Sequence, residues 1–371
     1  MASHKSLVLH AKGQPMSLET GPRPTPKAGE AVVRILGVDI VPYMSEVLDG
    51  RRPYPLSLPM TPGNTAIGRV HEVGPDAVLL KPGQLVFCDI TIRGRDNPCV
   101  TILYGVHGGG YPAAQQLMDG EWRNGTYAEF ARFPLENLYP MNEDQLLGKI
   151  GYTISDLCVI SHCLVPFGGL CEVGLKSGEI VVVAPATGRY GGAAVAVALA
   201  MGATVVAAGR NAEALQSLQH IHGSTGRLMT VKLSENSVQN TKLLQSVTAP
   251  SGGADVFLDF SPPAAKGMSL LTSAVGAMRP FGRCLIMGGV SENISVPYLE
   301  IMVKNLRLQG RFMYSRDHAL QLIRIVESGL LPLGTRVGIH HSHEFALASF
   351  NEALEVAANL KGWGSHVVLT P

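Results

Sequence analysis

A chain of 371 residues has room for two ordinary domains, each burying its own core. With 46% hydrophobic and 16% charged residues it reads as well buried rather than disordered. A net charge of +1, with lysine and arginine scattered along the chain, gives no electrostatic footprint for nucleic acid or an anionic membrane, so a small-molecule substrate is the expected partner.

The N-terminal MASHKSLVLHAKG has too short an apolar part for a secretory signal, and no stretch reaches about 18 consecutive apolar residues. The expectation is a cytoplasmic protein that does not enter a membrane. The six cysteines, Cys88, Cys99, Cys158, Cys163, Cys171 and Cys284, then read as buried thiols rather than a disulfide framework. From residue 1 to about 150 the texture is short strands (SLVLHA, EAVVRILGVD, AIGRVHEVG, QLVFCDITI) separated by Gly and Pro turns, a β-rich, barrel-like pattern. From about 164 it changes to strands alternating with helices: EIVVVAPA, GGAAVAVALAMGA and TVVAAG, then NAEALQSLQHI, LMTVKL, ADVFLDF, AAKGMSLLTSAVGAM and GRCLIMGG. Such alternation implies a parallel sheet covered on both faces. After NLRLQGRFM come two amphipathic helices, RDHALQLIRIVESG and ASFNEALEVAANLK, and a last strand, GSHVVLTP.

The most informative stretch is VVVAPATGRYGGAAVAVALAMGATVVAAGRN. A buried strand ends at Ala184, a tight turn holds Gly188 and Gly191, and a helix is expected to start at the second of these glycines. The turn Ala186, Thr187, Gly188, Arg189, Tyr190, Gly191 is a G-x-G-x-x-G pattern with alanine in its first place, in the strand-turn-helix setting that lets a pyrophosphate sit at a helix N-terminus. At the end of the next strand Gly209 occupies the place where NAD sites put an acid. Arg210 and Asn211 follow it. An arginine there can clamp a 2′-phosphate that a carboxylate would repel, so the expected cofactor is NADPH.

GRVHEVGPDAVLLKPGQLV, NGTYAEFARFP, the glycine turn, DVFLDFS, FGRCLIMGG and ESGLLPL together resemble the medium-chain dehydrogenase/reductase superfamily of alcohol dehydrogenases, quinone oxidoreductases and enoyl reductases. The resemblance implies an α/β protein with a GroES-like β-barrel catalytic domain (residues 1–163 and 310–371) and a Rossmann doubly wound parallel-sheet domain (residues 164–309), the active site lying between them. It also implies a homodimer joined at the edges of the Rossmann sheets, here near ENISVPY. Phe260 and Ser261 in FSP and Gly288 and Gly289 in MGG match places where relatives touch ribose and nicotinamide, and Phe312 and Met313 match positions near the same cleft.

In zinc-dependent relatives the metal is held by the cysteine of a G-[IV]-C-x-[TS]-D segment, the histidine of Gly-His-Glu, and a cysteine near the domain junction. The matching residues here are Asp39, Asn64 and His162, with Val41 and Pro42 in place of the proton-relay hydroxyl and its aspartate. No C-x-x-C run marks a structural zinc lobe, so no metal is expected. Asp39 instead matches the position where zinc-free quinone oxidoreductases place an asparagine near the nicotinamide. A rival set, Cys158, His162 and Cys163 on one helical stretch, has ligand types, but such pairs on an apolar helix belong to cores. GVHGGG at residues 105–110 is a glycine loop in a chain without a G-x-S-x-G elbow, with His107 at the surface or lining a pocket.

Without a Lewis acid, reduction of a conjugated C=C bond in an enone, enoyl or quinone-type substrate fits best, because hydride adds at the β-carbon and hydrogen-bond donors hold the enolate oxygen. Candidates to return the proton or bind substrate are Tyr43, Tyr54, Asn64, His162 and Tyr314. An alcohol dehydrogenase or carbonyl reductase of the same superfamily, and a non-reductive NADPH-binding protein or cyclase on this scaffold, stay open.

Overall fold

The computed structural model describes residues 2–263, 265, 270–360 and 362–371. The chain divides into two units: Met1–Val159, His341–Lys361 and Ser365–Pro371 form the first, Ile160–His340 and Gly362–Gly364 the second.

The first unit opens with β1 (Ser3–Val8) and β2 (Ser17–Pro22), an antiparallel pair, followed by β3 (Glu30–Ile40), α1 (Met44–Leu48), β4 (Ala66–Val73) and β5 (Leu85–Cys88). Then come β6 (Thr91–Arg93), β7 (Thr101–Leu103), α2 (Pro112–Gly120), β8 (Phe130–Pro134), β9 (Leu138–Pro140) and α3 (Ile154–Cys158). The strand β3 is buried along nearly its whole length except at Arg34, as its run of β-branched and apolar residues predicts for a strand covered on both faces. It pairs with β4 on one side; on the other, β8 takes its first half and the last strand of the chain its end. The loop before β4 is pinned by close approach. A Cβ on Gly63 would fall 2.2 Å from the Thr126 nitrogen, so only glycine fits.

The second unit runs α4 (Ile160–Glu172), β10 (Ile180–Ala184), α5 (Arg189–Ala200), β11 (Thr204–Gly209), α6 (Ala212–His222), β12 (Leu228–Lys232) and α7 (Ser237–Thr248). It continues through β13 (Ala254–Asp259), α8 (Leu270–Ala277), β14 (Met278–Ile286), α9 (Tyr298–Val303), β15 (Arg307–Gly310) and α10 (Arg316–Glu327). Its six strands lie in the order β12-β11-β10-β13-β14-β15, every pair parallel. That is the doubly wound order, whose reversal between β10 and β13 opens a crevice at the carboxyl ends of these strands. The chain then returns to the first unit through β16 (His341–Phe345), α11 (Phe350–Asn359) and β17 (Ser365–Leu369).

Several boundaries differ from the sequence reading. Residues 310–340 stay with the second unit, where α10 packs on α4, rather than turning back at 310. Helix α5 starts at Arg189, two residues before Gly191, with Gly188 as its N-cap. The helix expected over AAKGMSLLTSAVGAM is described from Leu270; residues 264 and 266–269 lie outside the described residues, and Met278 already belongs to β14. Strand β16 was not expected, because HSHEF is polar and mostly exposed, and only its parallel ladder with β17 makes it a strand. The run Ile154–Glu172 is by length and composition apolar enough to cross a membrane, and 72% of its 18-residue window is buried inside the protein. All six cysteines are free thiols, and Cys88, Cys158, Cys163 and Cys284 are buried.

Candidate active site

The glycine turn lies between β10 and α5, and the two glycines of its G-x-x-G half do different work. A Cβ on Gly191 would fall 2.1 Å from the Pro185 carbonyl oxygen, so this glycine lets the helix press on the strand end. A Cβ on Gly188 would meet nothing within 4 Å, leaving an open approach to the backbone at the helix start. Gly188 brings no side-chain acceptor to the first turn of α5, whose N–H groups and dipole favour an anion. The Ala186 N–H donates to the Ala208 carbonyl at 2.8 Å, and the Thr187 carbonyl accepts from the Trp363 N–H at 3.2 Å, which ties the turn to its surroundings.

The first helical position, Arg189, is a cation where the helix dipole disfavours one by about 0.3–1 kcal/mol. It is nevertheless 92% buried, with 8% of its surface exposed. Its Nη1 donates to His162 Nε2 at 3.1 Å, a charge-assisted bond between α5 and α4. His162 is buried too, and its ring meets Tyr190 edge-on at 6.1 Å; Tyr190 in turn stacks on Phe260 at 6.1 Å. Four of the residues singled out in the sequence therefore form one cluster on α4, the glycine turn and the end of β13. Tyr314, by contrast, is 1% exposed and packs against Gly168 of α4. Phe312 is 60% exposed, and Met313 has a left-handed backbone at φ 58°.

Beside this cluster the ends of β13 and β14 are knitted together. The Asp259 carboxylate accepts the Ser261 N–H at 2.7 Å, and the Gly289 N–H donates to the Ser261 carbonyl at 2.9 Å. Burial raises Asp259 above the ordinary carboxylate range, against the lowering effect of its hydrogen bonds to Ser261. Asp259, Ser261, Ile286 and Gly288 line a cavity of about 490 Å³, closed on other sides by Glu235, Leu271 and Glu292. At the end of β11, Gly209 is buried against Thr187, Arg210 is exposed, and the Asn211 side chain caps α6 by accepting the Ala214 N–H at 3.0 Å. An uncapped helix start, an open glycine and a cavity at the switch point of the sheet fit a dinucleotide. The turn 186–191, residues 209–211 and the β13 and β14 ends would hold it.

In the first unit Asp39 sits fully buried on β3, opposite Val368 of β17. Its negative charge, after burial itself, keeps the nearby Tyr127 phenol and Cys158 thiol protonated, both far above their ordinary values. Asn64 is tied into its own loop: its side-chain oxygen accepts the Thr65 N–H at 2.8 Å, and its N–H donates to Thr126 Oγ1 at 2.8 Å. Among the described residues no group of three or more His, Cys, Asp or Glu side chains is gathered that could hold a metal ion. Cys158 closes α3, whereas His162 and Cys163 lie in α4.

Tyr43 and Tyr54 come together, ring centroids 6.5 Å apart and edge-on. Two residues that the sequence reading passed over join them. The Arg52 guanidinium lies 4.1 Å from the Tyr43 ring centroid and 5.8 Å from that of Tyr54, and the His107 ring meets Tyr54 at 4.5 Å. The only sequence signal for Arg52 was its place two residues before Tyr54 in RRPY.

Residues 27–143 match the family model of the alcohol dehydrogenase GroES-like domain, and residues 191–328 that of the zinc-binding dehydrogenase. An alcohol dehydrogenase of Geobacillus stearothermophilus is 22% identical, over 88% of this chain and 89% of its own length. A sorbitol dehydrogenase of Macaca fascicularis is 26% identical, over 98% of this chain and 95% of its own. A short chain alcohol dehydrogenase from E. coli CFT073, solved in complex with NADH, shares the fold with a TM-score of 0.77 at 21% identity, covering 100% of both chains. The two domain models, in this order and on this pair of folding units, settle the kinship: the chain belongs to the medium-chain dehydrogenase/reductase superfamily of nicotinamide-dependent oxidoreductases, of the zinc-type alcohol dehydrogenase-like kind.

Proposed function

We propose that this protein is an NADPH-dependent, zinc-independent reductase of conjugated C=C bonds in a small enone, enoyl or quinone-type substrate. The observation that carries the reading is the Arg189–His162 pair. An imidazole nitrogen that accepts a hydrogen bond from a guanidinium at 3.1 Å has its lone pair engaged and a cation already beside it, so it is a poor place for zinc. Asn64, with its oxygen on the Thr65 N–H, is a neutral and already committed donor. The residues at the three matched ligand positions thus do not fit the metal.

Bound at the glycine turn, the dinucleotide supplies a hydride. The chain's own residues supply the rest: Arg210 is exposed at the end of β11, where it can pair with a 2′-phosphate, and Gly209 brings no carboxylate to repel it. The Tyr190–Phe260 stack gives the end of the sheet a flat aromatic wall. A proton for the α-carbon comes from a phenol or from water.

Nicotinamide absorbance, followed with an enone, a quinone and an aldehyde alongside metal analysis, tests the reading. The expected result is NADPH consumption with enone or quinone and zinc well below stoichiometric. Arg210→Ser should raise the KM for NADPH roughly tenfold or more, the worth of a charged hydrogen bond, with little effect on NADH. Stoichiometric zinc, or a preference for NADH, defeats it. The printed names of the relatives favour a second reading, an alcohol or carbonyl oxidoreductase, for which the aldehyde is the best substrate.

The homodimer belongs to the same proposal. Strand β15 is an edge of the parallel sheet, and the helix leading into it exposes Tyr298 (79%), Leu299 (66%), Met302 (55%) and Val303 (63%). An unpaired edge beside an apolar helix face suits a second copy of the chain. Light scattering should read twice 39.4 kDa, falling to the single mass in Leu299→Lys; a wild-type monomer at all concentrations refutes the interface. The free thiols suit a reducing, cytoplasmic compartment.

A further inference from the structure

Reduction of a conjugated bond needs an acid for the α-carbon, and this inference rests on that reading. Of the residues considered for the task, Tyr314 is packed against α4 at 1% exposure, His162 Nε2 is an acceptor from Arg189, and the carboxamide of Asn64 has no acidic proton. Tyr43 has Arg52 stacked on it at 4.1 Å. We propose that Tyr54 is the catalytic acid and that Arg52 is the residue that positions it.

Tyr54 is half-buried in a frame with few degrees of freedom. Tyr43 meets its ring edge-on at 6.5 Å and His107 at 4.5 Å, and Lys12 Nζ donates to its carbonyl at 3.0 Å. The His107 ring is itself held, because its Nδ1 accepts the Gly109 N–H at 2.9 Å; burial lowers its proton affinity, so it faces Tyr54 as a neutral ring. Arg52 Nε and Nη2 both donate to Glu46 Oε2, at 3.3 and 3.2 Å, which leaves the guanidinium plane on the two tyrosines. The arginine side chain is 21% exposed and its Glu46 partner 43%, so the cation is the less screened of the two. Burial lowers Arg52, but hydrogen bonding to Tyr54, the Tyr54 and Tyr43 phenols and Glu46 outweigh it and hold the guanidinium above the ordinary arginine value. A fixed cation is thus in place where negative charge develops as the phenol gives up its proton.

Hydride from the reduced nicotinamide dinucleotide forms the β-carbon C–H bond and leaves an enolate. The Tyr54 O–H bond then breaks, its proton forms the α-carbon C–H bond with the enolate electron pair, and the phenolate recovers a proton from water.

An α-methylated cyclohexenone with NADPH tests this on the full chain, because protonation sets a stereocentre at the α-carbon. Wild type should give one α-epimer. Tyr54→Phe should lose about a hundredfold in kcat and give mixed epimers, while NADPH fluorescence titration shows a folded protein with unchanged dinucleotide affinity. Arg52→Met should lower kcat roughly tenfold with KM within about threefold, and Arg52→Lys should recover part of the loss. An unscrambled α-centre in Tyr54→Phe, or scrambling in Tyr43→Phe instead, overturns the assignment while leaving the reductase reading in place. No turnover of the enone by wild type removes that reading, and the acid assigned to it falls too.

Discussion

Gly191→Ala will lose about 3 kcal/mol of unfolding free energy and most of its NADPH affinity, whereas Gly188→Ala will unfold within about 0.5 kcal/mol of wild type yet bind NADPH at least tenfold more weakly. The contrast follows from what each added methyl meets. At Gly191 it would sit 2.1 Å from the Pro185 carbonyl oxygen and 2.9 Å from two backbone atoms of Ala186, and no rotamer relieves a backbone clash. Strand β10 and helix α5 would have to part, and both belong to the buried heart of the second unit. At Gly188 the methyl meets nothing within 4 Å, and the residue's φ of −78° suits alanine. Only an incoming ligand would feel it. Urea denaturation without cofactor and fluorescence titration with NADPH separate the two effects. Equal stability of the two variants would show that the turn does not divide its glycines between packing and binding.

That turn was legible because its signal is local. A β-branched run, glycines at set spacing and an alanine-rich helix follow one another in a short stretch, and the parallel order of the sheet follows from the repetition of such units. The zinc-site departures at Asp39, Asn64 and His162 could also be read, since residue type alone decides whether a side chain can ligate. Their partners could not. Arg189 reaches His162 only because α5 packs on α4, across 27 residues of sequence, and Arg52 finds Tyr43 only where the chain after α1 folds back. Strand β16 escaped for the opposite reason: HSHEF has no apolar period of its own and is a strand because β17 lies beside it. Likewise, α10 stays with the second unit through its packing on α4, which no composition change announces.

Acidification will cost the second unit about 3 kcal/mol through a single side chain, His222. It closes α6 and is 7% exposed, its Nε2 is buried without a hydrogen-bond partner, and burial pulls it from 6.5 to about 4. A helix C-terminus favours a cation by at most about 2 kcal/mol, so desolvation wins here. Above pH 6.5 the ring is neutral in both folded and unfolded chains and contributes nothing. Between 6.5 and about 4 the unfolded chain takes up a proton that the native one refuses, so stability falls with pH by up to about 1.4 kcal/mol per unit and levels off below. His222→Leu removes both the titration and the unpartnered nitrogen. Its urea midpoint at pH 7 should equal or exceed that of wild type, and the stability difference between the two proteins should widen by about 3 kcal/mol as the pH falls to 4. A constant difference across that range would mean the imidazole protonates in place. Because α6 begins beside Arg210 and is capped by Asn211, the loosening at its far end reaches the proposed phosphate clamp, and NADPH affinity should weaken over the same pH window in wild type and not in His222→Leu.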